Sequence, residues 1–142
     1  MVQRGAGFAF VDHTADIGVH AWGTTVGETF EQAGLALATL MGATSPVASG
    51  RPHVIRAEGP DLGGLLVAFL NELVFVCETA DGVGVAALRV THLEPRWLEA
   101  VVHLAQAVPA ADGLAVKAAT YHRLHVVEHE DGSAEVRVFL DV

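Results

Sequence analysis

The sequence predicts an α+β fold: a two-layer domain in which a mostly antiparallel β-sheet carries two helices packed on one face. Three observations lead there. Two segments, 25–41 and 62–77, repeat apolar residues at helical spacing. The segments around them alternate apolar and polar residues, as half-buried strands do. The closing pair of strands is joined by Asp131-Gly132, a two-residue type I′ hairpin signal.

Residues 8–14 read as a short strand. Residues 17–22 form the next, with Ile17, Val19 and Ala21 on one face and Gly18, His20 and Trp22 on the other. Thr14-Ala15-Asp16 joins them, and Asp16 favours a turn because its carboxylate accepts bonds from nearby backbone N–H groups. Gly23-Thr24-Thr25 then breaks the strand, and Thr25 with Glu28 makes a capping box. Val26, Phe30, Ala33, Leu37 and Leu40 carry a helix to about Met41, stopped by Gly42. Residues 43–52, with two prolines, a glycine and three Ser/Thr, are a loop. Residues 53–58 form a strand, and Asp61 caps the second helix. Leu62, Leu65, Leu66, Phe69, Leu70, Leu73 and Val76 give that helix a wide apolar stripe, so it is the more buried of the two.

Asp81-Gly82 turns the chain into strands over 83–93 and 97–108, a hairpin through Pro95. A polar loop, 109–113, precedes a long β-prone run over 115–130. After Asp131-Gly132, residues 134–142 alternate cleanly. Val136, Val138, Leu140 and Val142 face one way, and Glu135, Arg137, Phe139 and Asp141 the other.

At 142 residues the chain is one domain, 1–142, long enough to bury about two-thirds of its unfolded surface. A single cysteine, Cys77, excludes a disulfide framework and a zinc site built on paired thiols. Lying among Val74, Phe75 and Val76, it reads as a small buried hydrophobe. Mean hydropathy is +0.41, yet the most apolar stretch, 65–77, is broken by Asn71-Glu72 and is too short to span a bilayer. No basic segment followed by an apolar run opens the chain, so no signal peptide is expected. The expectation is a soluble protein of the cytoplasm with no membrane partner. Seventeen acidic residues against eight basic ones give a net charge of −9. The arginines are scattered, at 4, 51, 56, 89, 96, 123 and 137, which argues against an extended nucleic-acid surface. Contact with RNA through a basic partner stays open.

No P-loop, dinucleotide fingerprint, nucleophile elbow or zincin helix is present. His20, His92, His103, His125 and His129 read as solvated strand residues, and alternation puts His122 and His125 on opposite faces, against joint ligation. Two features stand out. Residues 12–18 (Asp12-His13-Thr14-Ala15-Asp16-Ile17-Gly18) gather two acids and an imidazole at a tight junction, either as turn chemistry or as a site. The second is the closing strand, which puts the Asp141 carboxylate beside a main-chain carboxylate if Val142 is the native end. Neighbouring anions raise each other's pKa unless a positive group intervenes. A divalent cation bound by oxygen ligands would relieve that repulsion, as would a salt bridge from Arg137 or Lys117. A third stretch, Lys117-Ala118-Ala119-Thr120-Tyr121-His122, lines up a cation, hydroxyls and an imidazole along one strand.

Together these pieces resemble the archease family. The resemblance rests on His13-Thr14-Ala15-Asp16-Ile17-Gly18, on 117–122 and on the closing Phe139-Leu140-Asp141-Val142, with the two helices in matching places. It implies a small acidic α+β protein that is not an enzyme. It implies an activating partner of the RNA-splicing ligase, which uses GTP and Mn²⁺, passes through a guanylylated histidine of its own and joins 2′,3′-cyclic-phosphate or 3′-phosphate ends to 5′-hydroxyl ends. It also implies metal ligation by Asp16, Asp141 and the backbone end at Val142, with His13, Lys117 and His122 as nearby supports. The ion expected there is Ca²⁺, with Mg²⁺ or Mn²⁺ as alternatives. Residues 108–115 and 78–82 depart from the family pattern. Two other readings stay on the table: a chaperone-like modulator of RNA-modifying enzymes such as tRNA methyltransferases, and a metal-dependent hydrolase.

Overall fold

Each helix begins where a side chain satisfies its first free N–H groups. In this computed structural model, which describes residues 5–12, 16–44, 51–79, 83–106 and 113–142, the element order is β1 (Gly7–Asp12), β2 (Asp16–Gly23), α1 (Val26–Leu40), β3 (Arg51–Glu58), α2 (Leu62–Thr79), β4 (Val83–Glu94), β5 (Trp97–Gln106), β6 (Ala118–Glu128) and β7 (Ala134–Asp141). The Thr25 hydroxyl accepts the Glu28 N–H at 3.0 Å, and the Glu28 carboxylate returns to the Thr24 N–H at 3.0 Å. The box therefore closes one residue upstream of its expected partner. Gly42, with φ +69°, turns the chain out of α1 while the Ala43 N–H reaches back to the Ala38 carbonyl at 2.8 Å. Asp61 caps α2, accepting the Gly64 N–H at 2.8 Å.

The strands are antiparallel, as expected, and divide between two sheets: a four-stranded one in the order β1-β2-β7-β6 and a three-stranded one in the order β3-β5-β4. Each buries one face. Val19, Ala21, Val136, Val138 and Leu140 fill that of the first, and Ile55, Ala57, Leu98, Ala100 and Val102 that of the second. Both helices pack against strands of both sheets, α1 chiefly on β2 and β4, α2 on β6 and β3. Phe30 and Phe69 stack between the helices with ring centroids 6.5 Å apart. Each such fully buried side chain contributes about 1.5–3 kcal/mol.

Three expectations change. The most apolar helix is not too short for a bilayer: Leu62–Thr79 has 18 residues and a mean hydropathy of 1.6, long and apolar enough by composition to cross one. It is a core helix because Leu65, Leu66, Phe69, Leu70 and Leu73 are all fully buried in the domain. The hairpin at Asp131-Gly132 is a three-residue loop. The Gly132 N–H bonds the His129 carbonyl at 3.0 Å and only Gly132 has positive φ, +89°, whereas a type I′ turn needs two such residues. The strand expected over 115–130 starts at Ala118. Ahead of it the fully buried Val116 anchors 113–116 outside the ladder. The expected turn at Thr14-Ala15, the signal at Asp81-Gly82 and most of the 43–52 and 109–113 loops lie outside the described residues.

Candidate metal centre

Burial sets the register of β2 on β7. Ile17 lies opposite Leu140, Val19 opposite Val138 and Ala21 opposite Val136, all toward the core. A slip of one residue would turn this whole set to solvent, so the pairing is tightly specified. Extended outward, the same register puts Asp16 directly opposite Asp141. Asp16 is thus the first residue of β2. Residues so paired share a face with their Cβ atoms about 4.5–5.5 Å apart. The face is the outward one of the first sheet. Asp16 is half-buried there and Asp141 exposed.

The third strand joins at the same level. Ala118 is the partner of Asp141 on β6, and the Lys117 N–H donates to the Asp141 carbonyl at 2.8 Å. The Lys117 side chain is exposed, and Val142 follows, 38% exposed. Asp16, Asp141, Val142 and the Lys117 backbone therefore meet at one end of the first sheet. His13 lies outside the described residues. His122 is their neighbour along the same face. Its N–H lies 3.3 Å from the Thr120 hydroxyl, and its ring meets Phe139 edge-on at 6.2 Å, one row in from the acidic pair.

A bulge in β6 explains where His122 goes. The β6–β7 register shifts between Thr120 and His125, and Arg123 takes φ +52°. His125 then falls opposite Arg137 while His122 rests on Phe139, so both occupy the outward face. The expectation of opposite faces assumed unbroken alternation, which the bulge interrupts.

Like charges directly opposite on a sheet destabilise it. Among the described residues no ion pair within 4 Å reaches Asp16 or Asp141, so neither Arg137 nor Lys117 supplies the salt bridge that was the alternative to a cation. No group of three or more His, Cys, Asp or Glu suited to a metal ion occurs among the described residues. The donors at hand are two carboxylates and the main chain at Val142, all oxygen. Their chemistry fits a hard divalent cation, and they are too few to fill the six to eight positions that Ca²⁺ prefers. Water or a partner's groups would complete such a shell. Cys77 has no part in it. Burial, with Glu78 adding, pushes its thiol up to about 11, which keeps it protonated and unreactive.

Two residues that support this corner went unassigned by sequence reasoning. Asn71, noted only as a break in an apolar stretch, accepts the Ala119 N–H through Oδ1 at 2.8 Å, with Nδ2 3.5 Å from the Ala119 carbonyl. It ties α2 to the start of β6, beside Ala118. The amide that interrupts an apolar stretch was the available signal; its side chain is exposed and finds its partner on β6. Gly18 is the second. A Cβ there would stand 2.9 Å from Phe139 Cε1 and 3.1 Å from Val11 Cβ.

Comparison with known proteins supplies relatives along nearly the whole chain. The family described as "Archease protein family (MTH1598/TM1083)" matches residues 8–142. A protein archease-like from Drosophila melanogaster is 31% identical over 140 residues, covering 95% of this chain and 90% of that one. A protein archease from Methanosarcina barkeri is 32% identical over 139 residues, covering 93% and 94%. The solution structure of Methanobacterium thermoautotrophicum protein 1598 superposes with a TM-score of 0.74 at 28% identity, over 96% of this chain and 99% of that one. A Thermotoga maritima crystal structure, named as an archease and possible chaperone, has the same fold, with a TM-score of 0.61 at 20% identity over 93% and 94%.

Proposed function

The chain belongs to the archease family, and from that premise we propose that it is a non-enzymatic, cytoplasmic accessory protein activating the GTP- and Mn²⁺-dependent RNA-splicing ligase. It would promote guanylylation of the ligase and its repeated turnover. The observation that carries this reading is the pairing of Asp16 with Asp141 at one end of the first sheet. Asp16, Asp141 and the main chain at Val142 would hold a divalent cation, Ca²⁺ ahead of Mg²⁺ or Mn²⁺. His13, Lys117 and His122 would act as supports, with Lys117 able to reach phosphate as a point charge. The ion would supply positive charge to an edge otherwise made of opposed carboxylates. The chain's own part is to present that edge rigidly. Asp16 and Asp141 are fixed by a register the core enforces, and Asn71 and Lys117 fasten β6 beside them. A net charge of −9 suits docking on a basic RNA-handling enzyme and speeds encounter.

The test is a ligation assay with the cognate ligase, with and without this protein. Asp16→Ala and Asp141→Ala should each abolish most stimulation, and a tag placed after Val142 should do the same. Stimulation that survives both substitutions overturns the reading. Suppression of aggregation of a tRNA methyltransferase, with no effect on ligation, would favour instead a chaperone-like modulator. The description of the Thermotoga maritima protein points that way for that protein. Turnover without any ligase would favour a hydrolase.

A further inference from the structure

The outward face of the first sheet carries a second, oppositely charged feature beyond the acidic pair. Arg123, His125, Glu135, Arg137 and Phe139 line an open cavity of about 430 Å³. That is within the ~300–1,000 Å³ span of small-ligand sites. Arg137 occupies the middle of a cross-strand row, with His20 opposite it on β2 and His125 opposite it on β6. The β6 bulge, with Arg123 held at φ +52°, adds a second guanidinium to the same cavity. A positive φ in a non-glycine residue is an uncommon backbone state that the surroundings must enforce.

In a chain with seventeen acids and eight bases, cations should find partners. Here they do not. Among the described residues no ion pair within 4 Å reaches Arg123, Arg137 or His125. The one acid in the cavity, Glu135, lies 3.8 Å from His20 Nε2 instead. Two arginines that are fourteen positions apart in sequence, and looked scattered there, converge because the hairpin pairs β6 with β7.

We infer that this cavity binds the phosphate group of a nucleotide or of an RNA end. Two guanidinium groups from neighbouring strands match a phosphomonoester better than a carboxylate. The ester carries close to two negative charges near neutral pH and three acceptor oxygens, enough for a fork from each arginine. Arg137 lies four residues along β7 from Asp141 on the same face, about 13 Å away. The phosphate site is thus separate from the acidic pair, and its test needs no ligase, so it succeeds or fails independently of the proposed activation.

The experiment measures binding of three probes to the full chain: inorganic phosphate, a nucleoside 5′-monophosphate, and a short RNA with a 3′-phosphate set against its 3′-hydroxyl twin. At least one phosphate probe should bind, and the 3′-phosphate RNA should bind no more weakly than its twin. Arg137→Gln and Arg123→Asn (asparagine tolerates the left-handed backbone) should each weaken binding at least tenfold with unchanged far-UV circular dichroism. Asp16→Asn should leave it intact. Binding by the free phosphates alone names a nucleotide-type ligand, and a preference for the 3′-phosphate RNA names an RNA end. The inference is overturned if no phosphate probe binds. It is equally overturned if the arginine variants bind as well as the parent.

Discussion

The Phe139 ring stands where a side chain on Gly18 would have to go: a Cβ at Gly18 would come within 2.9 Å of Phe139 Cε1, with the Val11 carbonyl oxygen at 3.1 Å. These two residues face each other across β2 and β7 one step inward from Asp16 and Asp141. Gly18→Ala should therefore destabilise the domain by about 1–3 kcal/mol, the usual cost of overpacking. Because Phe139 also carries the edge of His122, the substitution should weaken Ca²⁺ binding at the acidic pair as well. Thermal unfolding and a calcium titration check the two effects separately.

Removing one carboxylate of the acidic pair should separate stability from binding. Asp16→Asn keeps the side-chain shape and abolishes the like-charge opposition to Asp141. Metal-free stability should stay within about 1 kcal/mol of the parent or rise. Calcium should then no longer raise the melting temperature, whereas it should in the parent. A variant that melts far below the parent while still gaining from calcium would count against Asp16 as a ligand.

Two glycines should differ in how much they lose to alanine. At Gly34, within α1, a methyl meets the Leu88 and Leu73 Cδ2 atoms, the ends of flexible side chains. The helical gain of about 0.5–1 kcal/mol offsets much of that crowding, so Gly34→Ala should change stability by less than about 1 kcal/mol. At Gly59 the methyl would strike the backbone of Gly64 and Leu65, where α2 begins. Gly59→Ala should cost at or above the upper end of the ~1–3 kcal/mol overpacking range. Denaturant unfolding of the two variants side by side decides it.

Alkaline pH should expose Cys77. Burial pushes its folded thiol up to about 11 from an ordinary value of 9.0. The stabilisation from keeping it protonated is complete below pH 9. It falls as pH rises toward 11, because the unfolded chain then releases a proton that the folded chain retains. The total loss is on the order of 2–3 kcal/mol. Cys77→Val should remove that pH-dependent difference, measured as parent minus variant stability at pH 8 and pH 10.5. In the folded parent at pH 8, labelling by a thiol reagent should be slow.

Sequence legibility followed the range of the interactions. The caps at Thr25 and Asp61 and the stop at Gly42 were readable because each depends on residues within about one turn. The inward sets of β2 and β7 were readable from alternation alone. The bulge at Arg123 was not, since residues 118–128 carry no glycine or proline to mark it and the shift exists only relative to β7. The convergence of Arg123 and Arg137 was hidden for the same reason. Asn71 was visible as an oddity, but its partner at Ala119 was not.

The amino-acid sequence by itself determined which segments are helix and which are strand, which face of each is apolar, and that acids sit at the starts and ends of particular elements. Those properties follow from periodicity and neighbouring side chains. Only the tertiary structure decided that the strands form two sheets, that Asp16 meets Asp141, and that two arginines share a cavity. Strand pairing is selected by burying apolar residues from distant parts of the chain together, a choice made by the whole core that no local stretch encodes.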